Sequence, residues 1–377
     1  MKVVVIGGGI AGLSTCKHLR KLDKNVEIIL VEPKEYLEVH WCGVRALFDG
    51  NIAQRSTFSI NKWAISKSVV HVQDWVTQLT DTEVLLGDGQ YIEFNLCVVC
   101  TGSVTPFAGF AKGPPNPNGR GQGRLRHRLG QMQHWGRRLL DSGSVAIIGG
   151  GLIGIEMAGD LAFYSKKQGR PLQIALIHNE EFLVPEFTPS AGDMALEKLT
   201  EMGVEVILDE EAIEQEDGNV RLSKSGDYLQ VNEVIWATGI RPCNHFMNRA
   251  HLTQDGWIKV DEYFQVEGAE GRLFAMGDCC DLLPNTGNQA MEASYILAKN
   301  LKRTLDAIER REEQHVVLKK AQVSTEIYVA TIGKTDGVAM TPVMATQFGL
   351  PWMKNSTMFL WKVKKQIGLH KANKLGG

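Results

Sequence analysis

The chain has 377 residues, 44% of them apolar and 22% charged, with a net charge of -2. That length allows two or three domains with cores of their own, and the composition lies outside the disordered and fibrous classes. The charge balance excludes a surface built throughout for nucleic acid, and no run of about eighteen apolar residues is present to cross a bilayer.

The first element is an apolar strand, Lys2 to Ile6, followed by Gly7-Gly8-Gly9-Ile10-Ala11-Gly12 and a helical stretch from Leu13 to Leu22. A strand beginning at Lys2 predicts no signal or transit peptide, and the lack of glycine after Met1 predicts no myristoyl group. Gly7, Gly9 and Gly12 allow a tight turn and close approach of backbone to a pyrophosphate. The helix N-terminus adds unpaired N–H groups and the positive end of a dipole. A second strand, Val26 to Val31, ends in Glu32, about twenty residues beyond the last glycine, where ribose recognition requires an acid. Strand, turn, helix, strand and acid in register predict a Rossmann-type dinucleotide unit.

Further along, Leu96-Cys97-Val98-Val99-Cys100 reads as a buried strand running into Thr101-Gly102. Its C-x-x-C spacing puts the two thiols on opposite faces, which argues against a redox pair or zinc half-site. Residues 109–130, with Gly113-Pro-Pro-Asn-Pro-Asn-Gly-Arg120 and Arg124, Arg126 and Arg128, are too rich in Gly and Pro to pack. They read as a mobile linker, with phosphate or lipid contact by the arginines as the alternative.

The first pattern recurs. Ser144 to Ile148 is a strand, Gly149-Gly150-Gly151-Leu152-Ile153-Gly154 the turn, and a helix runs through Phe163 to a second strand, Leu172 to Ile177. Gly149, Gly151 and Gly154 take the roles of the first three glycines. This strand ends in His178, not an acid; no arginine follows, and Glu180 and Glu181 would repel a 2′-phosphate, so NADH and NADPH both stay open. Ala237-Thr238-Gly239 and Gly277-Asp278 are two more turns after apolar strands. From Gly337 to Gly377 there are six lysines and no acid, interleaved with Phe348, Trp352, Phe359 and Trp361. Such a mixture suits an interfacial segment on anionic lipid, or a strand pair whose lysines are merely solvated. The seven cysteines are odd in number and show no disulfide framework, which suits a reducing compartment. Cys279-Cys280 reads as incidental, and no metal site is expected.

The elements in this order resemble the pyridine-nucleotide–disulfide oxidoreductase superfamily. The resemblance implies an α/β fold with two Rossmann-like dinucleotide-binding domains, glutathione-reductase-like, plus a short C-terminal α+β domain. Residues 1–110 and 246–312 would hold FAD, 111–245 NADH or NADPH, and 313–377 would form an interface or membrane-proximal domain. It places Asp278 on the FAD ribityl chain, Gln289 and Ala290 under the flavin, and the Val76 backbone at the adenine. Disulfide reductases of the superfamily carry a thiol pair beside the flavin; here only Cys42 stands at one such place, which excludes a dithiol relay.

Glu32-Pro-Lys-Glu-Tyr-Leu-Glu-Val-His-Trp-Cys-Gly-Val-Arg-Ala46, Thr331-Ile-Gly-Lys-Thr-Asp-Gly337 and Trp361 to Leu369 resemble the ferroptosis-suppressor-like proteins, flavoproteins of the apoptosis-inducing-factor mitochondria-associated 2 type, their plant members most of all. That resemblance implies an NAD(P)H:quinone oxidoreductase acting on ubiquinone- or vitamin K-type quinones, with hydride passing to flavin N5 and two electrons onward. It sets Glu156 facing the nicotinamide carboxamide, and Arg45 and Lys34 along the flavin. The family's segment at 109–130 is shorter, and its animal members anchor by an N-terminal lipid that this chain is not expected to carry. Two alternatives stay open: a single-cysteine NADH oxidase, peroxidase or CoA-disulfide reductase using Cys42, and a non-enzymatic redox or nucleic-acid-binding protein. A homodimer is open too. The expected location is cytoplasmic, with peripheral attachment at a membrane or lipid-droplet surface open through the tail.

Overall fold

A computed structural model describes residues 1–110, 123–322, 327–341 and 343–369. The glycine-rich middle of the 109–130 segment, with Arg120, lies outside them, as does the end of the lysine-rich tail.

Strand Lys2–Ile6 pairs in parallel with Glu27–Val31 on one side and Leu96–Val99 on the other. Val70–Val72 and Leu273–Ala275 close the edges of this five-stranded sheet. Its strands are near-continuous apolar runs because both faces are covered, as all-parallel sheets require. Alternation then sorts the side chains. Val3, Val5, Ile28, Leu30, Leu96 and Val98 face helices Ile10–Leu22 and Gly287–Arg310. Val4, Ile6, Ile29, Val31 and Val99 face a three-stranded meander through Val76, Leu79, Val84 and Leu86. Cys97 belongs to the second face and Cys100 to the first, so the C-x-x-C thiols are on opposite sides of the sheet.

The chain repeats the plan between residues 144 and 236. Ser144–Ile148 lies between Gln173–Ile177 and Glu233–Trp236, with Glu205–Ile207 at the edge, all parallel. Helix Leu152–Lys167 covers one face, and a second meander through Ala212, Val220 and Leu222 covers the other. Strands of the first sheet come from both sides of this insert.

The chain then adds an antiparallel sheet, Tyr328–Ile332, Asp336–Thr341 and Met344–Thr346, and two short helices, Leu350–Thr357 and Leu360–Ile367. This α+β module is latched to both units. Trp63 and Lys67 donate to the carbonyls of Ile367 and Gly368, and Lys17 donates to those of Lys365 and Gln366. Cations and N–H donors at a helix C-terminus satisfy its orphan carbonyls and meet the negative end of its dipole. Among the described residues no helix is long and apolar enough to cross a membrane.

The 109–130 segment departs from expectation at its C-terminal end. Helix Leu125–Asp141 begins there, and Arg128 is buried with its guanidinium on both carboxylate oxygens of Glu38, at 2.9 and 3.0 Å. Bidentate pairing of this kind is geometry-specific, and it fixes Arg128 in the packing instead of leaving it for phosphate or lipid. Arg124 is exposed and pairs with Glu35.

Candidate nucleotide and electron-transfer site

The two glycine turns are built alike, down to what surrounds each glycine. Gly7 and Gly149 have φ of +107° and +111°, a left-handed backbone that glycine alone adopts without strain. A Cβ on Gly12 would sit 2.0 Å from the Gly7 carbonyl oxygen, and one on Gly154 would sit 1.8 Å from that of Gly149. By contrast, a Cβ on Gly9 or Gly151 would meet nothing within 4 Å. First and third glycines are therefore demanded by the fold itself, whereas the middle ones border open space. Gly9 and Gly151 are also the N-caps of helices Ile10–Leu22 and Leu152–Lys167, and neither has a side-chain cap. Open space in front of uncapped N–H groups is the arrangement that receives a phosphate.

At the end of the second strand, Glu32 accepts hydrogen bonds from the Gly8 N–H at 2.6 Å, the Lys34 N–H at 3.0 Å and Lys34 Nζ at 2.5 Å. Burial alone would raise this carboxyl, but the Lys34 ammonium and the two main-chain donors outweigh it and hold it below its usual range. Lys34, expected along the flavin, is thus paired with Glu32. Asp278 follows Gly277 (φ +88°) and accepts from Ser103 Oγ at 3.2 Å. Thr101, ahead of Gly102, donates to Asn244, whose amide holds the carbonyls of Gly256 and Cys279. Asn244 carried no motif signal in the sequence, yet it ties the Thr101 turn to the segment bearing Asp278. Gln289 and Ala290 are buried in the first turn of Gly287–Arg310, which Thr286 Oγ1 caps by accepting from the Gln289 N–H. Val76 opens the meander with its side chain in the core. Thr238 and Gly239 are exposed at the end of the strand beside Ser144–Ile148.

Where the two units and the C-terminal module meet, ionisable side chains are buried together. Glu156 and Asp160 are one turn apart on helix Leu152–Lys167. Glu156 Oε1 accepts from Lys354 Nζ at 2.6 Å, from the Thr331 N–H at 2.9 Å and from Thr331 Oγ1 at 3.1 Å. Lys354 also donates to the Val329 carbonyl, and the pair is 6–7% exposed. Arg45, expected along the flavin, is instead committed to this junction: Nε donates to Asp160 at 2.7 Å, and Nη2 to the Gly333 carbonyl at 2.6 Å. Cys42 stands in the field of Lys354, Glu156, Glu38 and Arg45; burial pushes its thiol up to about 12, with Lys354 pulling the other way. Residues 331–337, distinctive in sequence, form the hairpin that supplies Thr331, Gly333 and Lys334 to these contacts, Lys334 pairing with Asp49.

Similarity to known proteins identifies the family to which such a site belongs. Residues 1–295 match the family described as pyridine nucleotide-disulphide oxidoreductase. The chain belongs to that family. Apoptosis-inducing factor homolog B of Dictyostelium discoideum is 24% identical, over 97% of this chain and 96% of the relative. Ferroptosis suppressor protein 1 of Homo sapiens is 25% identical, over 90% and 88%. The sulfide:quinone oxidoreductase of Aquifex aeolicus shares the fold, with a TM-score of 0.75 at 16% identity over 97% of this chain and 92% of that one. As a member of the family the chain is an FAD-dependent oxidoreductase that takes its electrons from NADH or NADPH, which removes the non-enzymatic alternative. A sulfide:quinone oxidoreductase and an engineered water-forming NADPH oxidase both stand among its structural neighbours. The two open glycine cradles fit the two nucleotides.

Proposed function

We propose that the chain is an NAD(P)H:quinone oxidoreductase whose acceptor is lipid-soluble. One observation carries the reading. Helix Leu350–Thr357 places Lys354 inward on Glu156 while Trp352, on the same helix, is 71% exposed beside Phe348 at 84%. Val343 and Met344 are exposed on the preceding strand end. Two residues of one helix thus join an apolar-aromatic surface to the buried junction of the nucleotide units. Exposed aromatics among lysines, with no acid after Asp336, suit peripheral contact with an anionic lipid surface, from which a quinone could enter.

Bound FAD supplies the redox chemistry, accepting a hydride from the nicotinamide and giving two electrons to the acceptor. The overall balance is NAD(P)H plus a proton plus quinone giving NAD(P)+ plus quinol. The chain's part is to bind, orient and manage the proton. Gly9 and the N-terminus of Ile10–Leu22 would receive the FAD pyrophosphate, with Glu32 at its ribose and Asp278 at its ribityl chain. Gly151 and the N-terminus of Leu152–Lys167 would receive the other nucleotide, and Glu156, five residues further along, would orient its carboxamide. Lys354 Nζ, hydrogen-bonded to Glu156, would stand at the acceptor side as a proton donor.

Cys42 is fully buried and held as a thiol, which disfavours a sulfenate or mixed-disulfide step because the thiolate is the reactive form. Steady-state turnover with a short-chain ubiquinone, hydrogen peroxide and a low-molecular-weight disulfide, in wild type and Cys42→Ser, tests the proposal. Quinone-dependent NAD(P)H oxidation that survives Cys42→Ser is expected; turnover confined to peroxide or disulfide, and lost in Cys42→Ser, would overturn it.

A further inference from the structure

The two Rossmann units differ at one matched position. In the first, Gly7 N–H donates to the Val31 carbonyl, and the next residue, Glu32, places its carboxylate on the Gly8 N–H. In the second, Gly149 N–H donates to the Ile177 carbonyl, and the next residue is His178. Its ring packs on Gly150 as Glu32 packs on Gly8: a Cβ there would come within 2.7 Å of the imidazole Cγ and Cδ2. The main chain agrees, since Glu32 N–H donates to Val72 and His178 N–H to Ile207, both on the third strand of their sheet. Yet His178 is 8% exposed and neither ring nitrogen has a hydrogen-bond partner within 3.5 Å, although the Phe182 main chain acts on the ring. A buried polar group normally finds one, so the ring keeps hydrogen-bonding capacity at the strand end, against Gly150 of the glycine turn.

We propose that this chain selects NADH over NADPH, with His178 as the ribose-binding residue and Glu180 and Glu181 as the carboxylates that reject a 2′-phosphate. The inference rests on the second glycine turn holding the nicotinamide nucleotide, as proposed above. Burial disfavours the imidazolium, against the smaller pull of Glu180, Glu186 and the Phe182 main chain, so the ring is held neutral. A neutral imidazole has one donor and one acceptor nitrogen, which matches a ribose diol whose hydroxyls both donate and accept. A 2′-phosphate carries between one and two negative charges near neutrality and offers chiefly acceptor oxygens; it would set an oxygen against the acceptor nitrogen. No lysine or arginine lies between Arg170 and Lys198, whereas Glu180, Glu181 and Glu186 are exposed there. The neighbouring loop brings up Lys224, but its ammonium is paired with Asp209.

The test uses the holoprotein and two probes that cannot transfer hydride, ADP-ribose and its 2′-phosphate, titrated calorimetrically. ADP-ribose should bind about tenfold or more tightly than the phosphorylated probe, the scale of trading a made hydrogen bond for an opposed charge. His178→Arg should narrow or invert that ratio. Glu181→Lys, at an exposed position where folding is not at stake, should raise affinity for the phosphorylated probe and leave ADP-ribose nearly unchanged. Equal or tighter binding of the 2′-phosphate by wild type, or a ratio that neither variant moves, would overturn the inference. Binding of neither probe would overturn it together with the placement of the nicotinamide nucleotide, whereas the acceptor experiment above speaks only to the quinone.

Discussion

Lys354 meets Glu156 across 198 residues of sequence, inside a junction where both are nearly dry. Removing one partner of such a pair strands the other charge, at a cost of about 3–5 kcal/mol, more than the pair contributes over an apolar substitute. Lys354→Met should therefore lower the unfolding free energy in urea by about 3–5 kcal/mol, and Glu156→Gln in the same chain should restore part of it; additive losses would show that the two do not act as a pair. Asp160 gives a pH-dependent test. Burial pushes its carboxyl from 3.8 up to about 6, with Arg45 pulling downward. A value raised in the folded state favours folding below the unfolded value, and that contribution is lost as pH rises through the folded one. The stability of wild type relative to Asp160→Asn should accordingly fall between pH 4 and about 6.5, and a flat difference would contradict the assignment. The matched positions of Glu32 and His178 at the strand ends were legible in sequence because they stand at a fixed offset from a glycine turn. Lys354, Thr331 and Asp160 were not, since no local pattern announces a partner supplied by another sheet. Arg45 was read as a flavin neighbour because a cation near a cofactor motif invites that assignment; its actual partner lies on a helix more than a hundred residues away.

At the scale of elements, the glycine turns separate what the fold needs from what a ligand needs. Gly12→Ala and Gly154→Ala push a methyl into a backbone oxygen, so both should impair folding, read as loss of a cooperative melt by circular dichroism. Gly9→Val has open space around it and should fold, yet purify with FAD content reduced by an order of magnitude or so, since the pyrophosphate would need that space. A Gly9→Val protein that kept a full complement of flavin would contradict the cradle. Strand–turn–helix units were legible because hydrophobic period, turn chemistry and the acid or histidine at the strand end agree with one another. The C-terminal end of the 109–130 segment was misread because Gly and Pro ahead of it set the local composition. Arg128, which looked like one more linker cation, is fixed by Glu38, a contact composition does not contain.

The molecule as a whole is two nucleotide units closed by a module that reaches both, with Thr331, Gly333 and Lys354 inward and Val343, Phe348 and Trp352 outward. Flotation with vesicles containing anionic lipid should recover wild type but much less of a Phe348→Ser, Trp352→Ser protein, and high salt should weaken the wild-type interaction. Equal recovery of both proteins would remove this face as the contact. The acceptor side is where the central claim is most exposed. Under anaerobic conditions the flavin is first bleached with NADH, then mixed in a stopped-flow instrument with a short-chain quinone, or with peroxide or a disulfide. Reoxidation much faster with the quinone, unchanged in Cys42→Ser and slowed in Lys354→Met, is the predicted result; slow reoxidation by the quinone with fast, Cys42-dependent reoxidation by peroxide or disulfide would contradict it.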